Sequence, residues 1–186
     1  IGNQIAETYQ LHQGLRHRVA LQRSIEILAK VGIPDPAKRI NEYPHQMSGG
    51  MRQRVMIAMA LACSPDVIIA DEPTTALDVT AQKAILDLIR NLQGKYGLAV
   101  LFITHDLAVI SSIAGDILVM KKGEIVESGP ASRILTAPLH PYTRGLIACR
   151  PRLDTKLERL PTVHDFVSGT HQKPALPSVI QKPGGV

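Results

Sequence analysis

The chain has 186 residues, enough for one α/β domain with a sizeable core, and its 45% hydrophobic and 20% charged residues are an ordinary globular balance. No apolar run is long enough to cross a bilayer, and the start has no signal-peptide pattern. A net charge of +5 admits an anionic partner, a nucleotide or a nearby anionic membrane surface, but four Tyr, two Phe and no Trp argue against a base-stacking platform, so no nucleic acid is expected.

Residues 1–16 carry little periodic signal. Ile1-Gly2-Asn3-Gln4 reads as mid-domain sequence, which gives the expectation of a truncated chain. A helix is predicted from His17 to Val31, with Ala20, Ser24, Ile27, Leu28 and Val31 on one face, ended by Gly32 and Pro34. A short helix is predicted between Pro36 and Tyr43. Ser48 is a natural N-cap for the helix that runs on through Met56 to Cys63. The pair Gly49-Gly50 lets backbone N–H groups approach a ligand, and Arg52 and Arg54 crowd a first turn where the macrodipole disfavours cations. Two readings fit this start equally: a capped surface helix with solvated arginines, or an anion site. The two cysteines, Cys63 and Cys149, form no C-x-x-C pair and are expected as buried thiols in a reducing compartment.

Val67-Ile68-Ile69-Ala70 reads as a strand buried on both faces of a parallel sheet, and Pro73 stops it. Asp71 and Glu72 then stand at its carboxyl end, the edge where open α/β sheets bind ligands. A lone Asp-Glu pair is usually a solvated strand end or a cap. At such an edge, one carboxylate suits a hard cation and the other a water. Asp78 caps a predicted helix over 79–96, with Ile85, Leu88, Ile89 and Leu92 on its apolar face, and capping alone explains that residue. Residues 99–104 form a second buried strand. Strand, helix, strand makes a βαβ unit with parallel strands, so His105 falls on the same edge as Asp71 and Glu72. Asp106 can cap a helix through Ala114. Strands at 116–120 and 124–127 flank Lys121-Lys122-Gly123 as a hairpin, and short helices are predicted at 130–136 and 142–149. The Pro- and Gly-rich stretch 151–186 reads as a tail or linker.

Taken together, these segments resemble the nucleotide-binding domain of ABC ATPases. Ser48-Gly49-Gly50-Met51-Arg52-Gln53-Arg54 is similar to the signature motif, with Met51 in place of the usual glutamine. Residues 68–73 resemble the Walker B strand with its glutamate, Ala76-Leu77-Asp78 the D-loop, and His105 the switch histidine. The order and spacing are the family's, and the resemblance covers about residues 1–150. Residues 1–7 and Leu139-His140-Pro141-Tyr142-Thr143-Arg144 further resemble oligopeptide and dipeptide importers, a pattern shared by nickel and some sugar or antimicrobial-peptide importers. No G-x-x-x-x-G-K-[ST] loop occurs in the chain. The Q-loop glutamine is likewise missing.

The resemblance implies a partial P-loop NTPase-type fold, a parallel sheet flanked by helices with a C-terminal β-hairpin. Its parts would be a helical subdomain over 1–64, a Walker B, D-loop and switch region over 65–128, and a His-Pro-Tyr element over 129–150. It implies ATP and Mg²⁺ as cofactors. Asp71 would hold the metal through water, Glu72 would accept a proton from the attacking water, and His105 would contact the γ-phosphate. Ser48, Gly49, Gly50, Met51 and Asp78 would meet nucleotide across a dimer of cassettes. The implied partners are a second cassette (identical, different or fused), transmembrane permease subunits near residues 42–46 and, indirectly, an extracytoplasmic solute-binding protein. The implied place is peripheral, on the cytoplasmic face of the inner membrane. The implied work is ATP-driven peptide import, with nickel or another small solute as the alternative. A non-transport ABC ATPase and a degenerate cassette are the remaining rivals.

Overall fold

The structure, a computed structural model, describes residues 1–149. The stretch read as a tail or linker lies outside them. Two compact units divide the chain, Ile1–Asp106 and one that begins at Leu107.

The first unit opens on a helix the sequence reading did not anticipate, α1 (Gly2–Gln13). Its buried side is Gly2, Ile5, Ala6 and Tyr9. Gly2 lies so close to Ile40 that a Cβ there would collide with that side chain. The left-handed Gly14 (φ 66°) closes α1, and α2 (His17–Lys30) packs back on it. All five residues placed on the inner face of α2 are buried, and the Ser24 hydroxyl is satisfied by the Ala20 carbonyl at 2.7 Å. A short α3 (Pro36–Arg39) and a 3₁₀ turn at Pro44–Gln46 lead to α4 (Gly49–Ala62). Gln13 Nε2 donates to the Ala62 carbonyl at 2.8 Å and ties the ends of α1 and α4 together.

Strands β1 (Val67–Asp71) and β2 (Ala99–Ile103) pair in parallel, in a register that sets Asp71 beside Ile103. The crossover between them is α5 (Val79–Tyr96), which buries Ile85, Leu86, Ile89 and Leu92, with Leu88 half-buried. The topology expected for the βαβ unit is therefore present. The burial expected for the strand is not. One face of the sheet is open, with Val67 55%, Ile69 67%, Leu101 47% and Ile103 45% exposed. A two-stranded sheet covered from one side leaves alternate side chains of each strand in solvent.

In the second unit, α6 (Leu107–Ile113) precedes the antiparallel hairpin β3 (Asp116–Lys121) and β4 (Glu124–Pro130). The two-residue turn Lys122-Gly123 has φ of 52° and 83°, positive at both positions as such hairpins require. Helices α7 (Ala131–Thr136) and α8 (Pro141–Ala148) follow. Ile117, Val119, Ala131 and Ile134 form this unit's core, with Tyr142 and Leu146 packed against it. The cysteine expectation is corrected: Cys63 is exposed and Cys149 half-buried.

Candidate functional site

At the carboxyl edge of the β1–β2 sheet, topology places Asp71, Glu72 and His105 together. The Glu72 amide continues the ladder, donating to the Ile103 carbonyl at 2.9 Å. Glu72 then turns into the left-handed region (φ 47°), a conformation that costs a non-glycine residue about 1–2 kcal/mol. That turn lets its carboxylate fold back over the end of β2. His105 Nδ1 lies 2.6 Å from Glu72 Oε1, and the His105 amide donates to the same oxygen at 3.2 Å. On the other oxygen, the Thr75 hydroxyl donates to Oε2 at 2.7 Å. The Thr75 and His105 bonds lower the Glu72 carboxyl below its usual value, and the Glu72 carboxylate raises the His105 imidazole above its own. Glu72 is thus an ionised acceptor near neutral pH, so Nδ1 is assigned the proton and Nε2 is left toward solvent.

Asp71 is exposed at the strand end, and its carboxylate makes no hydrogen bond or ion pair among the described residues. No group of three or more His, Cys, Asp or Glu side chains converges on a metal site among those residues. A free carboxylate at such an edge suits Mg²⁺, which keeps waters and takes one or two protein ligands.

The second group of predicted residues gathers at the start of α4. Ser48 caps that helix, its Oγ accepting from the Met51 amide at 3.3 Å. The hydroxyl proton remains free to donate. Gly49 and Gly50 sit against the loop that leads into α5: a Cβ at Gly49 would lie 3.1 Å from Leu77, and one at Gly50 3.5 Å from Ala81. The missing Cβ of Gly49 therefore lets the start of α4 come close to Leu77, whereas one at Gly50 would make only an ordinary contact. Asp78 caps α5, accepting from the Ala81 amide at 2.8 Å. The two arginines, left open between an anion site and a solvated helix face, divide. Arg52 is exposed, whereas Arg54 reaches back to the Val31 carbonyl that ends α2, beside Gly32 (φ 76°). A guanidinium at a helix C-terminus is favourable, so Arg54 ties α2 to α4.

The His-Pro-Tyr segment is built on a residue that sequence reasoning missed. The Glu127 side chain is only 5% exposed. Its carboxylate accepts from the Leu139 amide at 2.9 Å, the His140 amide at 3.0 Å and Arg133 at 3.2 Å. Burial pushes this carboxyl up; the Leu139 amide, the nearby Thr143 hydroxyl, the His140 amide and Arg133 together hold it down to about 2. The Thr143 hydroxyl is itself buried without a hydrogen bond of standard geometry, so the two amides and Arg133 are the bonded partners. A Glu within strand β4, after Ile125 and Val126, with an Arg six residues on was the available signal. Thr75 was also missed, because its role depends on how the chain turns after Pro73.

Two families match this chain: the ABC transporter family over residues 3–75, and the oligopeptide/dipeptide transporter C-terminal region over residues 126–175. A putative peptide import ATP-binding protein of Brucella abortus is 52% identical over 94% of this chain and 52% of its own length. The dipeptide transport ATP-binding protein DppD of Escherichia coli is 50% identical over 94% of this chain and 53% of its own length. The chain thus spans about half the length of the curated relatives it matches. Among solved structures, a putative metal-chelate type ABC transporter in an inward-facing conformation is similar with a TM-score of 0.63 and 28% identity, over 73% of this chain and 54% of that one. The ATP-binding cassette MJ0796, in a dimeric post-hydrolysis state bound to ADP and Pi, has a TM-score of 0.54 and 33% identity, over 63% of this chain and 49% of its own. The fold, the edge residues and these likenesses agree, and the chain belongs to the ABC transporter ATP-binding family, in its oligopeptide/dipeptide branch.

Proposed function

We propose that this chain forms the C-terminal part of an ATP-hydrolysing cassette that powers import of dipeptides or oligopeptides. The observation that carries the reading is the 2.6 Å contact between Glu72 and His105 at the carboxyl edge of a parallel sheet, beside the free carboxylate of Asp71. The peptide-import names of the relatives support the solute class.

Bound ATP with Mg²⁺ supplies the electrophilic γ-phosphoryl group. Asp71, whose carboxylate is free at the strand end, would hold the Mg²⁺. The Glu72 carboxylate orients the attacking water and takes its proton. His105, its Nδ1–H committed to Glu72, would meet the γ-phosphate as the imidazolium that the Glu72 carboxylate favours, with Nε2–H donating to a phosphate oxygen. Phosphoryl transfer asks for positioning and charge neutralisation above all, and these groups provide both. Ser48, Gly49, Gly50 and Met51 face the nucleotide of a second cassette, and Asp78 crosses the same interface. A serine that caps a helix with its acceptor lone pair and keeps its proton free is suited to an incoming phosphate. The chain contains no phosphate-cradling P-loop, so by itself it is expected to be inactive.

The proposed partners are a second cassette, permease subunits in the membrane and, through them, an extracytoplasmic solute-binding protein. The proposed location is peripheral, on the cytoplasmic face of the inner membrane. Among the described residues no helix is long and apolar enough to cross a membrane. The likeness to a metal-chelate type transporter favours a second reading, in which the solute is nickel or another small species. Uptake assays in membrane vesicles holding the whole protein and its permease separate the two. ATP-dependent accumulation of labelled dipeptide, abolished by Glu72→Gln, is expected. ATP-dependent accumulation of nickel with peptide ignored contradicts the peptide reading.

A further inference from the structure

Glutamate has a weakness as a positioned base. Its terminal torsion is broad and roughly two-fold, so nothing intrinsic fixes the carboxylate plane. At Glu72 the plane is fixed from both sides. His105 occupies Oε1 through its ring and its amide, and Thr75 occupies Oε2 through its hydroxyl at 2.7 Å. Thr75 is itself held in place, because its amide donates to the Glu72 carbonyl at 3.2 Å and closes a turn around Pro73. Pro73 fixes one backbone torsion of that turn, and Thr74 within it is buried. The β-branched side chain of Thr75 has few rotamers, so the donor is aimed before the carboxylate arrives.

We propose that Thr75 is a positioning residue for ATP hydrolysis: its hydroxyl pins the Glu72 carboxylate at Oε2, so that Oε1 faces His105 and the carboxylate keeps one orientation toward the attacking water. Each carboxylate oxygen has two acceptor sites, so a bond from Thr75 leaves Oε2 able to accept another. The inference rests on Glu72 being the base, as set out above. Thr75 touches neither nucleotide nor metal in this scheme and acts through Glu72 alone.

The test uses the whole protein carrying this chain, in four forms: wild type, Thr75→Val, Thr75→Ser and Glu72→Gln. Valine keeps the shape and the β-branch and removes only the donor. Thr75→Val is expected to lower kcat roughly 10- to 100-fold while the dissociation constant for ATP, read with a fluorescent analogue, stays within about two-fold. Thr75→Ser keeps the hydroxyl and is expected to retain kcat within about three-fold. Near-normal kcat in Thr75→Val alongside a dead Glu72→Gln overturns the Thr75 role and leaves Glu72 as the base. Equal loss in Thr75→Ser and Thr75→Val also overturns it, since the hydroxyl would then not matter. A Thr75→Val defect confined to ATP affinity does the same. Normal turnover in Glu72→Gln removes the base and the positioning role together.

Discussion

Glu127 offers a prediction whose size can be worked from the structure. Its carboxylate is the anchor of the loop that leads into α8, holding the Leu139 and His140 amides and Arg133. Glu127→Gln keeps the shape and replaces one acceptor oxygen with a donor. If the amide oxygen stays on Leu139 and Arg133, the new NH₂ faces the His140 amide, donor against donor. The loss is one charge-assisted bond plus a buried unsatisfied N–H, about 2–4 kcal/mol by the usual costs. Amide hydrogen exchange reads this locally: Leu139 and His140 should exchange roughly 100-fold faster in the variant, about 3 kcal/mol at 1.4 kcal/mol per decade, while α4 and α5 amides hardly change. The same residue sets an acid limit. A carboxyl depressed from 4.5 to about 2 contributes stability that is complete above pH 4.5 and is lost as pH falls toward 2. At 1.36 kcal/mol per pH unit the ceiling is about 3 kcal/mol. Exchange at Leu139 and His140 that is unchanged in Glu127→Gln, or unchanged between pH 5 and pH 2.5 after correction for intrinsic rates, refutes the anchor.

Three further outcomes are expected. Ser48→Glu places an anion where a partner's γ-phosphate should dock, so in the whole protein it should weaken ATP-driven dimerisation and leave monomer nucleotide binding intact; heterodimers with a P-loop lesion in the same or the opposite chain should then differ in ATP occluded per dimer. Asp78→Ala removes the α5 cap and should destabilise the 186-residue chain by about 1 kcal/mol in urea unfolding; an unchanged midpoint would show that the cap carries no weight. The 186-residue chain alone should hydrolyse no ATP, and turnover abolished by Glu72→Gln would contradict that.

Much of the site was legible because it depends on topology. A buried-looking strand, an amphipathic helix and a second strand are enough to put His105 beside Glu72, and the register bears this out. The Ser48 and Asp78 caps were equally readable, since both are local chemistry. The losses have physical causes. Helix α1 lacks a side-chain cap and carries only Gly2, Ile5, Ala6 and Tyr9 on its inner side, a face too sparse to stand out among polar neighbours. The apolar run of β1 was read as doubly buried because its composition is that of a central strand, while here Ile69 meets solvent on the open face. For Arg54 the sequence left two readings open, a solvated side chain or an anion ligand in the first turn. A long side chain can instead reach an unpaired carbonyl at another helix's end, here Val31. Thr75 and Glu127 act through contacts set by turns and by tertiary packing, which no periodicity records.

The most direct measurement compares ATP binding and ATP turnover in the whole protein with Glu72 or with Glu72→Gln. Glutamine is nearly isosteric, still accepts from His105 or Thr75 through its carbonyl, and takes no proton; Asp71 remains for the metal. The expected result is ATP affinity near that of the wild type with turnover reduced roughly 100-fold or more, the usual scale for a positioned base. Near-normal turnover, or affinity and turnover lost together, would contradict Glu72 as the base at this edge.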